Sequence, residues 1–429
     1  MLREASSCFP FAFPIILSKL SSPLLLTLTL FIAHPDRSGQ ENYCRWKGEP
    51  SQILTKNEVN QEVAEKTEGM HDFLVKEDLD GMLLTQVKNF HWMTAGTVDN
   101  QIVLNKDVGA ASLLIMRDGK KYLICTESEV DLLMDGGLRE LGYQPKIYHW
   151  YEANPVKDVR GDIIKELAGN GKIGSDAPFP NTFIVSDKFA KLRYSFTETE
   201  IKRYRWLGHQ VAEAVEDVCR ALKPGMKEHQ IEAMTAEALW SRGILPTVLL
   251  IGVDDRIYKY RHCLPDDVIL KHYAMVNVVA EKWGMPIAMT RFVHFGPLPK
   301  DLAENIKKVA EVMAHYEAAT VPGTTLEQIF QDCRKWYDEV GFKGEWRVHH
   351  QGGAIGYNDR EYIMYPGIKE VVQDRQPFAW NPTLPGTKVE DTIIAFKDHF
   401  EVVTKTKTWP MIKVNIDGKS YEEPTILVR

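Results

Sequence analysis

One pattern occurs twice in this 429-residue chain, and it limits the folds the chain can adopt more than any other feature. Pro224-Gly225-Met226-Lys227-Glu228-His229-Gln230-Ile231 and Pro322-Gly323-Thr324-Thr325-Leu326-Glu327-Gln328-Ile329 stand 98 positions apart, from 224 to 322. Each follows a helical run and leads into a second helix and then strands. Proline cannot continue a helix, and glycine tolerates the left-handed backbone that ends one. Two such halves predict a pseudo-twofold α+β domain with a cleft between its sheets.

The elements around the repeat fit that reading. Thr197 and Glu200 have capping-box spacing ahead of an amphipathic run to Leu222. A second helix is expected over about 228–242, then strands at 248–252, 274–280 and 290–296. The second half offers helices at 301–319 and from Thr325 to about Val340. Upstream, 56–80 reads as helix, while GMLLTQ (81–86), ASLLIM (111–116) and KKYLIC (120–125) read as strands, the last two joined at Asp118-Gly119. Helices near 129–141 and 159–168 alternate with strands at 146–150 and 172–175, which predicts an α/β unit over about 65–190.

Composition excludes some classes. Net charge is −7, with no arginine-rich run, so nucleic acid is not an expected partner. Cys8, Cys44, Cys125, Cys219, Cys263 and Cys333 are scattered without CxxC spacing and read as buried thiols. Pro23–Ala33 (PLLLTLTLFIA) follows Arg3 and Lys19 and is too short for a comfortable membrane span. It fits the apolar core of a secretory signal, with a start codon placed too early as the alternative reading. A secreted or periplasmic protein is expected if the signal is real, and a cytoplasmic one otherwise. The expected organisation is a leader to about 40, an N-terminal domain over 41–190 and a C-terminal domain over 191–429.

Chemistry concentrates in 346–392. This stretch holds His349-His350, the glycine-rich Gly352-Gly353, Arg360-Glu361 and Glu390-Asp391. Paired glycines permit close backbone approach, and histidines with carboxylates beside them suit acid/base chemistry or metal binding. On a strand, adjacent histidines would face opposite sides, so His349 and His350 are not expected to serve one ion together.

The order of these motifs (a helix pair, a histidine after Gly252, a strand ending in Thr290-Arg291, H-x-x-G-G-x-x-G, Asn381-Pro382 and Glu390-Asp391-Thr392) resembles the pita-bread family of creatinase, prolidase and aminopeptidase P. The resemblance covers about 70–429, with 81–96 similar to the N-terminal creatinase/prolidase domain. It implies a C-terminal pita-bread domain behind an N-terminal α/β creatinase-type domain. It also implies a homodimer and a small-molecule or short-peptide ligand.

The family's metallopeptidases hold two divalent ions with two Asp, one His and two Glu. By resemblance those ligands fall on Asn277, Ala288, Gly353, Asn381 and Glu390, and only Glu390 matches. Two divalent ions need several carboxylates, so no metal and no other cofactor is expected. A relocated set drawn from His349, His350, Glu361 and Glu390 is the alternative. Creatinase-like members use a histidine at the position of His262 as base, and Glu361 and Glu390 are the other expected catalytic residues. His349, Arg360, Asn381, Asn277, Arg291 and Tyr357 are the expected substrate-binding set, with an ion pair to Glu390 or Glu361 as the structural reading of Arg291. The function expected is hydrolysis of a C–N bond in a small polar substrate. A silent binding module and a metallo-aminopeptidase of Xaa-Pro type are its rivals.

Overall fold

Local signals set the helix starts. A computed structural model describes residues 53–429, which form one compact unit. The apolar run Pro23–Ala33, Cys8 and Cys44 lie outside the described residues. The Lys56–Lys76 helix opens on Thr55, whose hydroxyl accepts from the Glu58 N–H while the Glu58 carboxylate accepts from the Thr55 N–H. Thr197 and Glu200 make the same reciprocal cap for Glu198–Ala221. Among the described residues, no helix is long and apolar enough to cross a membrane.

The N-terminal part is a six-stranded mixed sheet. Its order is Tyr143–Tyr148, Lys121–Thr126, Val108–Met116, Gly81–Gln86, Ile173–Ser175 and Phe183–Ile184. Alternate residues serve opposite faces. Leu84, Leu113 and Leu123 pack with Met70, Phe73 and Leu74 of the first helix, whereas Leu83, Leu114 and Ile124 pack with Ile164 on the other side. Both faces are covered, which explains the near-continuous apolar runs. From the short Ser186–Ala190 helix the chain passes through the Lys191–Arg193 turn to the helix starting at Glu198.

The duplicated pattern folds as two matched halves. Gly225 and Gly323 have φ of +97° and +96°. Gly225 N donates to Leu270 O and Gly323 N to Val372 O, while Leu270 N returns to Met226 O and Val372 N to Thr324 O. Each helix–Pro-Gly–helix unit is thus tied to its half by equivalent bonds. The first half carries an antiparallel sheet of Leu245–Val253, Tyr273–Lys282 and Met285–His294, with Leu427–Val428 added in parallel. The second carries the order Tyr362–Ile363, Gly352–Ala354, Gln376–Trp380, Asp391–Ala395 and Phe400–Val402. The sheets meet where Thr290 bridges to Glu390 and the Thr392 hydroxyl bonds both the N–H and the carbonyl of Ala288.

Gly352 and Gly353 lie inside a strand, Gly352–Ala354. A Cβ on Gly353 would stand 2.2 Å from Tyr362 O, and one on Gly352 2.1 Å from Ala379 O. The glycines are needed because the flanking strands come that close. Cys125, Cys219, Cys263 and Cys333 are buried free thiols.

Candidate active site

The seam between the two sheets gathers a carboxylate, two cations and three imidazoles. Glu390 stands just before the Asp391–Ala395 strand and is 2% exposed. Its Oε2 accepts from Asn277 Nδ2 at 2.7 Å and from Thr290 Oγ1 at 2.7 Å, and lies 2.9 Å from Lys388 Nζ. Its Oε1 lies 3.5 Å from Arg360 Nη2. Burial opposes ionisation of this carboxyl, but Lys388, Arg360 and the Thr290 bond outweigh it and hold its pKa at about 2.

Lys388 was not singled out from the sequence. The signal was present: two residues apart in extended chain, Lys388 and Glu390 share a face, and Lys388 closes a strand of its own with Thr387.

The histidines correct one expectation. His349 and His350 are not on a strand; they follow the short helical turn Glu345–Arg347. Their rings stack at 4.4 Å with an interplanar angle of 24°, so both face the same side. His349 Nε2 lies 3.0 Å from His262 Nε2, and His262 is brought there by the loop after Asp255–Lys259. Burial, then the Lys388 charge and the other two imidazoles, drives the His349 pKa down to about 3. His350 falls to about 4, through burial and then Arg360. His262 is lowered by partial burial and by Lys388. All three rings are therefore neutral at pH 7.

Asn381 is buried and its Oδ1 has no hydrogen-bond partner. Of the residues expected to form the site, Arg360 and Asn277 meet Glu390, and His262 meets His349. Three others are committed elsewhere. Arg291 spends its guanidinium on Asp391 and on the carbonyls of Thr290 and Thr404. Glu361 accepts from Arg193 Nη2 at 2.6 Å and from the Tyr357 N–H. The Tyr357 hydroxyl donates to Glu200, inside a buried group with Lys66, Glu62 and Arg203. These partners come from segments remote in sequence, which is why residue spacing within the C-terminal stretch did not reveal them.

A small cavity of about 10 Å³, room for one water, lies beside Lys388, Tyr260, Arg261, Thr383 and Thr387.

Two matched halves whose sheets meet at a polar seam, behind an N-terminal mixed sheet, define a pita-bread fold. Residues 202–403 match the model for metallopeptidase family M24. An uncharacterised peptidase of Staphylococcus aureus (strain MW2) is 23% identical over 319 residues, 68% of this chain and 87% of that protein. Among solved structures, the prolidase from Pyrococcus horikoshii OT3 superposes with a TM-score of 0.67 at 19% identity, over 80% of this chain and 99% of its own. A Xaa-Pro dipeptidase from Bacillus anthracis gives 0.63 at 20%, over 86% and 100%. The N-terminal domain of the FACT complex subunit SPT16 from Cicer arietinum gives 0.61 at 11%, over 81% and 96%.

The family's two-ion centre does not fit these residues. At the ligand positions implied by the resemblance, Asn277 and Asn381 are neutral and Ala288 has no donor. Gly353 is packed too tightly against Tyr362 O to carry a side chain. The remaining carboxylate, Glu390, is already answered by Lys388 and Arg360. Two divalent ions would find one anion and two fixed cations, an arrangement that repels them.

Proposed function

We propose that this chain is a hydrolase of its family that cleaves a C–N bond in a small polar substrate or short peptide without a dinuclear metal centre. The observation that carries this reading is the Lys388 ammonium on Glu390, with Asn277 on the same oxygen. Protein cations take the charge-balancing role that ions have in metal-dependent relatives.

His262 is the base in this reading. It is neutral, exposed and next to His349, and imidazole suits proton transfer near pH 7. Water adds to the carbonyl carbon as one of its protons passes to His262; the C–N bond then breaks and the amine leaves with that proton. Arg360 and Lys388 supply positive charge beside the negative charge that develops, and Asn381 offers an unused acceptor to the substrate.

A catalytically silent binding module is the second reading. It is favoured by the saturation of Glu390, both of whose oxygens are occupied.

The experiment is a panel of dipeptides, amides and guanidino compounds, incubated with untagged protein with and without chelator. Turnover that survives the chelator supports the hydrolase. Activity lost to chelator and restored by two equivalents of manganese, zinc or cobalt overturns it. Binding of panel members without turnover transfers the assignment to the module.

A further inference from the structure

His262, His349 and His350 each present a ring nitrogen, and the three atoms lie within 4.8 Å of one another. None of these residues occupies a ligand position of the family's two-ion centre as the resemblance places it. We propose that the three imidazoles form a separate site for a single transition-metal ion of the zinc and cobalt class, and that an ion held there silences His262 as a base.

The geometry is close to what such an ion requires. Imidazole nitrogens bind zinc at about 2.0–2.1 Å, so two tetrahedral ligands stand roughly 3.4 Å apart. His262 Nε2 and His349 Nε2 are already 3.0 Å apart. The third nitrogen must close in by at most about 1.4 Å, from the 4.8 Å outer limit of the cluster to that spacing of roughly 3.4 Å. Two features make that movement small. His349 and His350 are stacked on one side of the chain, and His262 lies on an exposed loop, where its ring can turn. The hydrogen bond that His350 Nδ1 accepts from the Gly352 N–H is 3.3 Å, long for such a bond and a weak restraint on the ring.

Donor chemistry selects the metal. Three neutral nitrogens and no carboxylate suit zinc, cobalt, nickel or copper, and not magnesium, calcium or manganese. Three protein ligands leave a fourth position to solvent. Lys388 and Arg360 oppose a dication and Glu390 answers only one of them, so the site is exchangeable and not a structural zinc centre. Coordination takes the lone pair that the hydrolytic reading gives to His262. Metal binding itself does not depend on that reading; only the loss of turnover does.

The test is a cobalt(II) titration of the untagged full chain, followed by visible absorption. One cobalt per chain with intense tetrahedral bands is expected. His350→Ala should weaken binding at least about tenfold, since loss of even an outer partner of a ligand costs 10–100-fold. His350→Gln serves if the alanine variant does not fold. Lys388→Met, which removes a repelling charge, should tighten binding. Absence of bands up to millimolar cobalt overturns the site, as does cobalt held equally well by the His350 variants. With any substrate found in the panel, turnover should fall with the same midpoint as the bands rise. Undiminished turnover at full occupancy overturns the silencing and leaves the chelator result standing as a separate question.

Discussion

Two groups of buried carboxyls, one on each side of a single strand, respond to burial in opposite ways. Glu390 is ionised down to about pH 2. Glu317 and Glu423, 2% and 1% exposed, interact directly and keep their protons. Burial and then each other's charge raise Glu317, while burial, with Asp391 nearby, raises Glu423 to about 8. Asp391, next in sequence to Glu390, is also raised by burial despite its bond to Arg291. Alternation along the strand sends neighbouring side chains to opposite faces, one lined by Lys388, Arg360, Asn277 and Thr290, the other by Arg291 with two further acids, Glu317 and Glu423. Enclosure is equal on both sides, so the partners decide the charge.

The largest expected effect tests the ionised side. Lys388→Met leaves Glu390 buried with only the longer Arg360 contact as a counter-charge, and breaking a buried pair costs about 3–5 kcal/mol. Denaturant midpoints should show a loss near the lower end of that range, and most of it should return in Lys388→Met/Glu390→Gln. A single variant as stable as the parent would mean that Lys388 is not the cation that holds Glu390.

On the same side, His262→Ala should lower kcat by about 10²–10⁴, the usual cost of removing a general base, with the thermal midpoint nearly unchanged because His262 is exposed. Turnover at the parental rate would place the base elsewhere.

The protonated side sets how stability depends on pH. Glu423 has a folded value of about 8 against 4.5 for the free group. The unfolded chain releases this proton near pH 4.5 and the folded chain holds it to about 8. The stabilising contribution is therefore complete below 4.5 and is lost as pH rises through 8. Glu390 behaves oppositely: its contribution is present above 4.5 and is lost as pH falls towards 2. Thermal midpoints should decline by on the order of a few degrees between pH 5 and 8.5. Glu423→Gln, which imitates the protonated acid, should flatten that decline. An unchanged slope in the variant would mean that the pair is not the source.

The sequence carried the architecture further than the site. Pro224-Gly225 and Pro322-Gly323 revealed the duplication, and Thr197 with Glu200 revealed a helix start, because caps and breaks act within a few residues. The positions of Glu390, Asn277 and Arg360 were also legible, through motif order. The facing of His349 and His350 was not, because it depends on a helical turn where a strand was expected. The commitments of Glu361 to Arg193 and of Tyr357 to Glu200 were equally hidden. Each joins residues more than 150 positions apart, and no local pattern encodes such a pair.

The smallest expected effect belongs to Asn381, and it sharpens the contrast within the ionised side itself. Lys388 and Asn277 are bound to Glu390, so substituting either disturbs the folded protein. The Asn381 Oδ1 is enclosed yet accepts no hydrogen bond, so Asn381→Ala removes no bond from that atom and relieves a buried polar group of its desolvation cost. Stability should change by no more than about 0.5–1 kcal/mol. If the idle oxygen serves the bound substrate, the variant should raise KM by about tenfold and leave kcat in place, the signature of a contact made equally in ground and transition states. A fall in kcat with KM unchanged would instead make Asn381 a transition-state contact, placing it with His262 in the chemical step.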